Sequence, residues 1–584
     1  MTSLEKLKTG WHILFVLTLC PLHEGFAAPR SATVPVGILR PATDTQGRVI
    51  QAATPEGQVY PVFRPAEDSP FVQHVHGVME TSFAQQVLRL DRYARNFLLQ
   101  GHAGDGEQRL KEPMYLLLSA EEGGFARYGF WLQDQNGAKR LVLAGYVDMV
   151  VGEKGIDSGG LEEIFSHELG HLILKSLLGD INSGPARKMH QSMTVTDYPT
   201  AFDEGYAEHF QPLVRDATDN AYLRELSKGA TATDLDQLWL SRFDQQLRTD
   251  GVKRNLFIHR KALPAVALQP DPDRYQLYLD SETSVDFLSD ELKNAQEMMA
   301  SEGVIATLFY RLVNDGRLRN RYREAGFYQQ FLKPDPANQS HSRESGNRTP
   351  AECCPAEGDS RLRGNEGPRN SELVSPYENV NLKLFAAMRK VAGQSVNPRQ
   401  PLIIEVVDAY ASLFPEEAEA IYGVFLQTTR GVTASQELAT AFEGVAMAGR
   451  KGDIEAFRQR AVPAFALLKA TTEQVARGKL ALGANLGPEL WVLNSGFKIA
   501  PAIWERDRTL PLTLNLNTAT EAELMTLPGV DLAIARRLVA ERRGRGFFKS
   551  LDELSAAAGL SPALLKSLVE RSAQMQTLEE YKRP

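Results

Sequence analysis

Cysteine is almost missing from this chain, with three residues in 584. Cys20 falls in the first apolar stretch, and Cys353 and Cys354 are adjacent in a low-complexity segment. The folding parts therefore have no disulfide framework. They also have no thiolate for nucleophilic catalysis or for an all-cysteine zinc site. Long apolar runs are lacking too: Trp11–Leu22 is shorter than the ~20 residues a membrane-spanning helix needs, and no later segment is longer and equally apolar. Basic excess is also lacking. A formal charge of -8 gives no whole-chain attraction to nucleic acid or anionic lipid, so any such binding needs a local basic patch. What remains, 43% hydrophobic and 24% charged residues, is ordinary for a globular protein.

The apolar run at the start follows Lys6 and Lys8, and Gly25-Phe26-Ala27 places small residues for cleavage after Ala27. Residues 1–27 are expected to be a secretory signal. The mature protein is then periplasmic or secreted from a bacterium, without an integral membrane span.

Residues 28–110 read as an N-terminal strand and helix region, with helical spacing over Phe83–Leu99. Residues 111–333 form the next expected domain. Strand-like runs at Met114–Ser119, Tyr128–Leu132 and Leu141–Val151 are separated by Gly-Gly and Asn-Gly turns, which suggests a small antiparallel sheet. A helix is expected over Leu161–Leu178, ending before Gly179, and further helices run to about Phe331. Residues 334–372 lack aromatics and nearly all large aliphatics, so they cannot offset the entropy of ordering. This stretch resembles the translated product of a dispersed bacterial inverted-repeat element and is expected to be a disordered insert. Residues 373–508 regain helical periodicity, and residues 512–572 form a compact terminal unit. The expected fold class is α+β.

Ser166-His167-Glu168-Leu169-Gly170-His171 carries the strongest chemistry. Positions i and i+4 share a helix face, so both imidazoles can address one metal, and Glu168 can reach a water on it. A catalytic zinc takes three protein ligands and leaves a fourth place open. The pattern lacks the third histidine of metzincins. Downstream, Asp203-Glu204-Gly205-Tyr206-Ala207-Glu208 resembles the Asn-Glu-Gly-Phe-Ala segment of peptidases related to aminopeptidase N. The two motifs together resemble the gluzincin zinc metallopeptidases. That resemblance implies a zincin-like catalytic domain, Zn2+ as cofactor, His167, His171 and Glu204 as metal ligands, and Glu168 as general base. It also implies that Glu208, one turn on, hydrogen-bonds a ligating histidine, as an acid at that offset does in thermolysin-like enzymes. His190 and His209 are alternative third ligands. Tyr198, Tyr206, His190 and Tyr310 are candidates for holding the oxyanion. Asp148, before the helix, is a candidate to line the cleft. No Gly-x-Met-Glu-Asn segment precedes the helix, which favours endopeptidase action on a peptide or protein substrate.

The terminal unit combines Leu514–Leu524, Leu527-Pro528-Gly529-Val530, a basic helix and a second hairpin at Ala558-Gly559-Leu560-Ser561-Pro562. Thr520 and Glu523 form a capping box. The unit closely resembles the helix-hairpin-helix domain of bacterial competence-type DNA receptors. The resemblance implies weak, non-specific phosphate contacts by Gly529, Arg536, Arg537, Arg542, Arg543 and Lys549. Asp531, where a hairpin glycine would stand, puts negative charge beside that phosphate. A non-catalytic exported accessory protein that binds DNA or docks a protein through this unit is the competing function.

Overall fold

Strands form where the sequence expects them, but they pair differently. The computed structural model describes residues 33–99, 112–119, 124–181, 184–186, 190, 192, 194–226, 248–249, 251–260, 292–332, 374–392, 400–494 and 512–580. The expected signal (1–27) and insert (334–372) lie outside the described residues.

Six strands make the main sheet: β1 (Val36–Pro41), β2 (Gln51–Ala53), β3 (Val59–Pro65), β4 (Met114–Leu118), β5 (Gly124–Gln133) and β6 (Lys139–Met149). Their order is β1-β4-β6-β5-β3-β2, with an added β1–β3 pairing that closes five of them into a ring. The pairings are mixed. β1–β4, β4–β6 and β3–β5 are parallel, and β5–β6, β1–β3 and β2–β3 are antiparallel. The small antiparallel sheet of the sequence reading is thus corrected to a mixed one. The reason is that β4 skips β5 to lie parallel to β6, and that β1 and β3 add two more parallel pairings, with β4 and β5. A cluster of Leu39, Phe63, Tyr115, Leu117, Phe130, Val142 and Tyr146 forms one core of this sheet. The other faces, bearing Ile38, Leu116, Val147 and Met149, pack with the helices.

Helix α1 (Pro70–Met79) is capped by Ser69, whose hydroxyl accepts from the Val72 amide. α2 (Ser82–Leu99) and α3 (Gly160–Leu178) follow. α3 starts after Gly159 and stops at Gly179, as its sequence signals require. It is buried along most of its length, as befits a helix apolar on several faces. α4 (Tyr198–Glu208) begins where Asp197 accepts from the Thr200 amide, with a proline in its first turn. α5 (Phe210–Ala217), α6 (Ala295–Met299) and α7 (Glu302–Asn314) complete this part. Helices α8 (Pro376–Ala392), α9 (Leu402–Leu413), α10 (Ala418–Thr428), α11 (Gln436–Arg450) and α12 (Ile454–Ala476) extend it. No described helix is long and apolar enough to cross a membrane.

The segments expected as separate units at 28–110, 111–333 and 373–508 share one hydrophobic core, which runs from Val34 to Leu482. Polar ties join them too. Arg89 pairs with buried Glu378, Asn96 donates to the Phe331 carbonyl, and Arg389 donates to the Leu177 carbonyl.

Close helix contact sets the site. A Cβ on Gly170 would lie 2.9 Å from the Ala207 Cα, so α3 and α4 touch backbone to backbone there. A Cβ on Gly205 would lie 2.6 Å from Ile305 Cβ and 2.7 Å from the Glu302 carbonyl oxygen. Gly205→Ala should therefore push α4 off α7 and cost about 1–3 kcal/mol of stability, despite the better helix propensity of alanine. Urea unfolding of the two proteins measures this, and an alanine variant as stable as wild type would refute it.

The terminal unit has a ribbon of β7 (Trp491–Asn494) and β8 (Leu512–Asn515), then α13 (Glu521–Leu524), α14 (Leu532–Arg545), α15 (Leu551–Ala558) and α16 (Pro562–Glu580). It has its own core around Leu514, Leu538, Phe548 and Leu568.

Candidate metal centre

The i, i+4 spacing on α3 brings His167 and His171 together with their rings 5.1 Å apart. The α3–α4 contact at Gly170 then delivers Glu204 to both. Glu204 Oε2 lies 3.5 Å from His167 Nε2 and 3.6 Å from His171 Nε2. Metal–ligand bonds of 2.0–2.2 Å in a tetrahedron put ligand atoms about 3.4 Å apart, so these three atoms fit zinc in both chemistry and spacing.

His171 Nδ1–H donates to Asp203 Oδ1 at 2.9 Å, which leaves Nε2 to face Glu204. Asp203, the residue before the carboxylate ligand, therefore does what Glu208 was expected to do. Glu208 is fully buried and faces away: its Oε1 accepts from the Ser192 hydroxyl at 2.7 Å. The α4 turn carries it past the histidines toward Glu302. Burial, reinforced by the Glu302 charge, raises its pKa well above the usual carboxylate value.

His190 is half-exposed and lies on the other side of Glu204, with Nε2 3.4 Å from Glu204 Oε1. Its Nδ1–H points to Glu302 Oε2 at 3.3 Å. His190, Glu204 and Glu302 form a second close group of potential ligands. Burial works against the charge on His190, but Glu302 and Glu204 raise its pKa to about 9. His209 is different. It is fully buried among Tyr206, Phe210 and Phe309, its Nδ1–H meets the Tyr206 carbonyl, and burial pushes its pKa down to about 3. It is a neutral core histidine, and the described geometry does not bring it into the ligand group.

Glu168 follows His167 on the buried part of α3 and is 8% exposed. Its carboxylate lies under the start of β5: a Cβ on Gly124 would sit 3.0 Å from Glu168 Oε1. β3 joins β5 only at Trp131 and Leu132, so Gly124–Ala126 has no described strand on its outer side. Asp148 stands opposite Phe125 in the β5–β6 ladder, on the sheet face away from Glu168. It pairs with Arg127 at 2.7 Å, on the sheet face opposite Val147 and Met149, which pack toward the helices.

Of the oxyanion candidates, His190 is the one that the described geometry brings to Glu204. Tyr198 is buried, and Tyr206 is enclosed with its ring against Phe210 and Phe309. Tyr310 donates to Asp216. Glu302, which the sequence reading missed, is the partner of His190 and lies at the start of α7.

The charges of the metal-free protein make a pH prediction. Burial alone would lower the His171 pKa, but Asp203 and Glu204 hold it well above 6.5. Glu204 is held well below the carboxylate range by the same histidines, against its burial. A zinc ion must therefore displace a proton from His171, and zinc affinity should rise by about tenfold per pH unit per displaced proton through neutral pH. The sign for stability is the reverse. The raised His171 and His190 values stabilise the metal-free fold fully below about pH 6.5, and that contribution fades as pH rises through their folded values, about 9 for His190. Zinc titration calorimetry in buffers of different ionisation enthalpy checks the first part. Binding without proton release would contradict it.

In the terminal unit, Arg542 is corrected from a phosphate contact to a buried tie. It is 2% exposed; Nη1 donates to the Leu516 and Ala519 carbonyls, and Nη2 donates to Glu297 Oε1 at 3.2 Å. Arg543 is half-buried, and its carbonyl accepts from Gln436. Arg536 is exposed and lies 3.4 Å from Glu521. Arg537 and Lys549 are exposed. Gly529 is exposed in its hairpin with φ +80. Next to it, Asp531 caps α14, accepting from the Ile534 amide at 2.8 Å. Its carboxylate occupies the helix terminus where a phosphate would dock.

Residues 512–571 match the family described as the helix-hairpin-helix motif. The chain is similar to the endonuclease/exonuclease/phosphatase family domain-containing protein 1 of Homo sapiens, 47% identical over 55 residues. Proteins of the same name from Xenopus laevis and Danio rerio are 46% and 44% identical over 55 residues. The aligned stretch is 9% of this chain and 10% of each relative, so the chain spans about a tenth of the length of these relatives. No solved structure matches.

Proposed function

We propose that this is an exported zinc-dependent peptidase of the gluzincin type, with a zincin-like catalytic unit. The observation that carries the reading is the convergence of His167, His171 and Glu204, whose ligand atoms all lie within 4.8 Å of one another. Zinc held by these side chains would polarise the scissile carbonyl and lower the pKa of a water. Glu168 accepts the proton of the attacking water and passes it to the leaving amine. Asp203 fixes the His171 tautomer. Glu302 orients His190, which donates to the carbonyl oxygen as it gains charge. Among the described residues no strand flanks Gly124–Ala126 on the side away from β6, which supports a peptide substrate, since an extended segment can pair with this backbone beside Glu168.

Metal analysis of the purified protein should give one zinc per chain, lost in Glu204→Gln. Cleavage of a mixed quenched-fluorescent peptide pool should stop on chelation and return with zinc. Equal cleavage by chelated and zinc-loaded protein would sink the reading.

The helix-hairpin-helix match favours a second reading, an exported accessory protein that binds DNA or docks a protein. Gly529, Arg536, Arg537 and Lys549 would supply its DNA contacts. Against it stand the Asp531 cap and Glu168, a base that a structural zinc site does not need. DNA retention lost at moderate salt, without peptide turnover, would support this reading.

A further inference from the structure

Among the described residues the terminal unit is tied to the body of the protein at α11, where Gln436 donates to the Arg543 carbonyl, and at two further places, each of which leads within a few residues to one member of the His190–Glu302 pair. The first of these two is at α6. Asn294 Nδ2 donates to the Asn517 carbonyl at 2.8 Å, Asn515 Nδ2 donates to Gln296 Oε1 at 2.9 Å, and Arg542 reaches Glu297. Gln296 also donates to the Leu486 and Pro488 carbonyls, at 2.6 and 2.8 Å, in the segment that leads into the unit. All three side chains of α6 and its cap are at least nine-tenths buried. α6 ends at Ala300, whose carbonyl accepts from Thr196 at 2.7 Å, and two residues on stands Glu302. The second tie is the Thr513 hydroxyl on the Pro185 carbonyl. The next residue, Ala186, donates to Asp197 Oδ2 at 3.0 Å, and Asp197 caps α4, the helix that bears Glu204. His190 lies four positions further along.

We propose that the helix-hairpin-helix unit is a brace for the catalytic centre, with Gln296 and Arg542 as positioning residues that act through α6 on Glu302 and so on His190. This rests on the peptidase reading for its kinetic consequence, though not for its mechanical one. A tail that only bound nucleic acid would have no need to lodge an arginine in the body of the protein. Removing the charge of Arg542 takes one cation from buried Glu297, which keeps Arg260 at 3.1 Å and the charge of Lys293.

The test uses the full chain with Gln296→Ala and Arg542→Met. Arg542 also holds the interior of its own unit, whereas Gln296 lies on the other side, and its side chain bonds to Asn515 of the unit and to the Leu486 and Pro488 carbonyls of the segment leading into it. For Gln296→Ala we expect kcat to fall about tenfold or more, with KM within about threefold and zinc content unchanged, because the carbonyl-polarising group is displaced and the metal ligands are not. Amide exchange over residues 298–303, read by mass spectrometry, should speed up about tenfold in both variants. Wild-type kcat together with unchanged exchange in Gln296→Ala would overturn the brace, and so would loss of zinc in place of a kcat effect. If the wild-type protein cleaves no peptide, the peptidase reading fails alone, and exchange over 298–303 still decides whether the unit braces this segment.

Discussion

Glu168→Gln is expected to lower kcat by about 10³-fold while leaving zinc content and thermal stability close to wild type. The substitution keeps the shape of a side chain packed under Gly124. It leaves the ligand edges at 3.5 and 3.6 Å undisturbed. It removes only the capacity to take and return a proton. Steady-state turnover of a quenched peptide, with metal analysis on the same sample, measures both halves. Turnover equal to wild type would end the enzyme assignment. Loss of zinc in the variant would show instead that the carboxylate helps to hold the metal.

Arg215→Met should cost about 3–5 kcal/mol of stability. Arg215 and Glu163 are each 1% exposed at the side chain and pair with each other, joining α5 to the first turn of α3. Removing the cation takes the partner Arg215 from a carboxylate held inside the core, one turn before His167. A protein with Glu163→Leu in addition to Arg215→Met should regain most of the loss, since no unpaired charge remains. Denaturant midpoints of the three variants check this. A single variant as stable as wild type would mean that water reaches Glu163.

The closeness of His167, His171 and Glu204 was legible because its signal is local. His167, Glu168 and His171 follow from helix geometry, and Glu204 follows from a short motif on a capped helix. The strands and helices were legible to within a few residues, as with the helix expected over Leu161–Leu178 and found as Gly160–Leu178. What could not be read was pairing across distance. Nothing in the 36–65 hairpin announces that it closes a ring with strands after residue 114. Glu302 stands far from His190 in sequence, at the head of an apolar helix, with no motif around it. Asp203 could have been found, since it precedes the ligand and its side chain is free to turn to His171. Arg542 also left a trace. Ala535, Leu538 and Arg542 recur at spacings of three and four, which places the arginine on the buried stripe of α14 and not on its basic face.

The closed ring of strands limits what could be recognised. A chain added to an open sheet can be measured along the whole margin of that sheet. Among the described residues, one such margin is the short run from Gly124 to Ala126 at the start of β5, before the place where β3 takes over. On the proposed peptidase reading, a guest peptide would be gauged there over only a handful of residues. Main-chain contacts then supply grip without much selectivity, and discrimination falls to whichever side chains crowd that short opening.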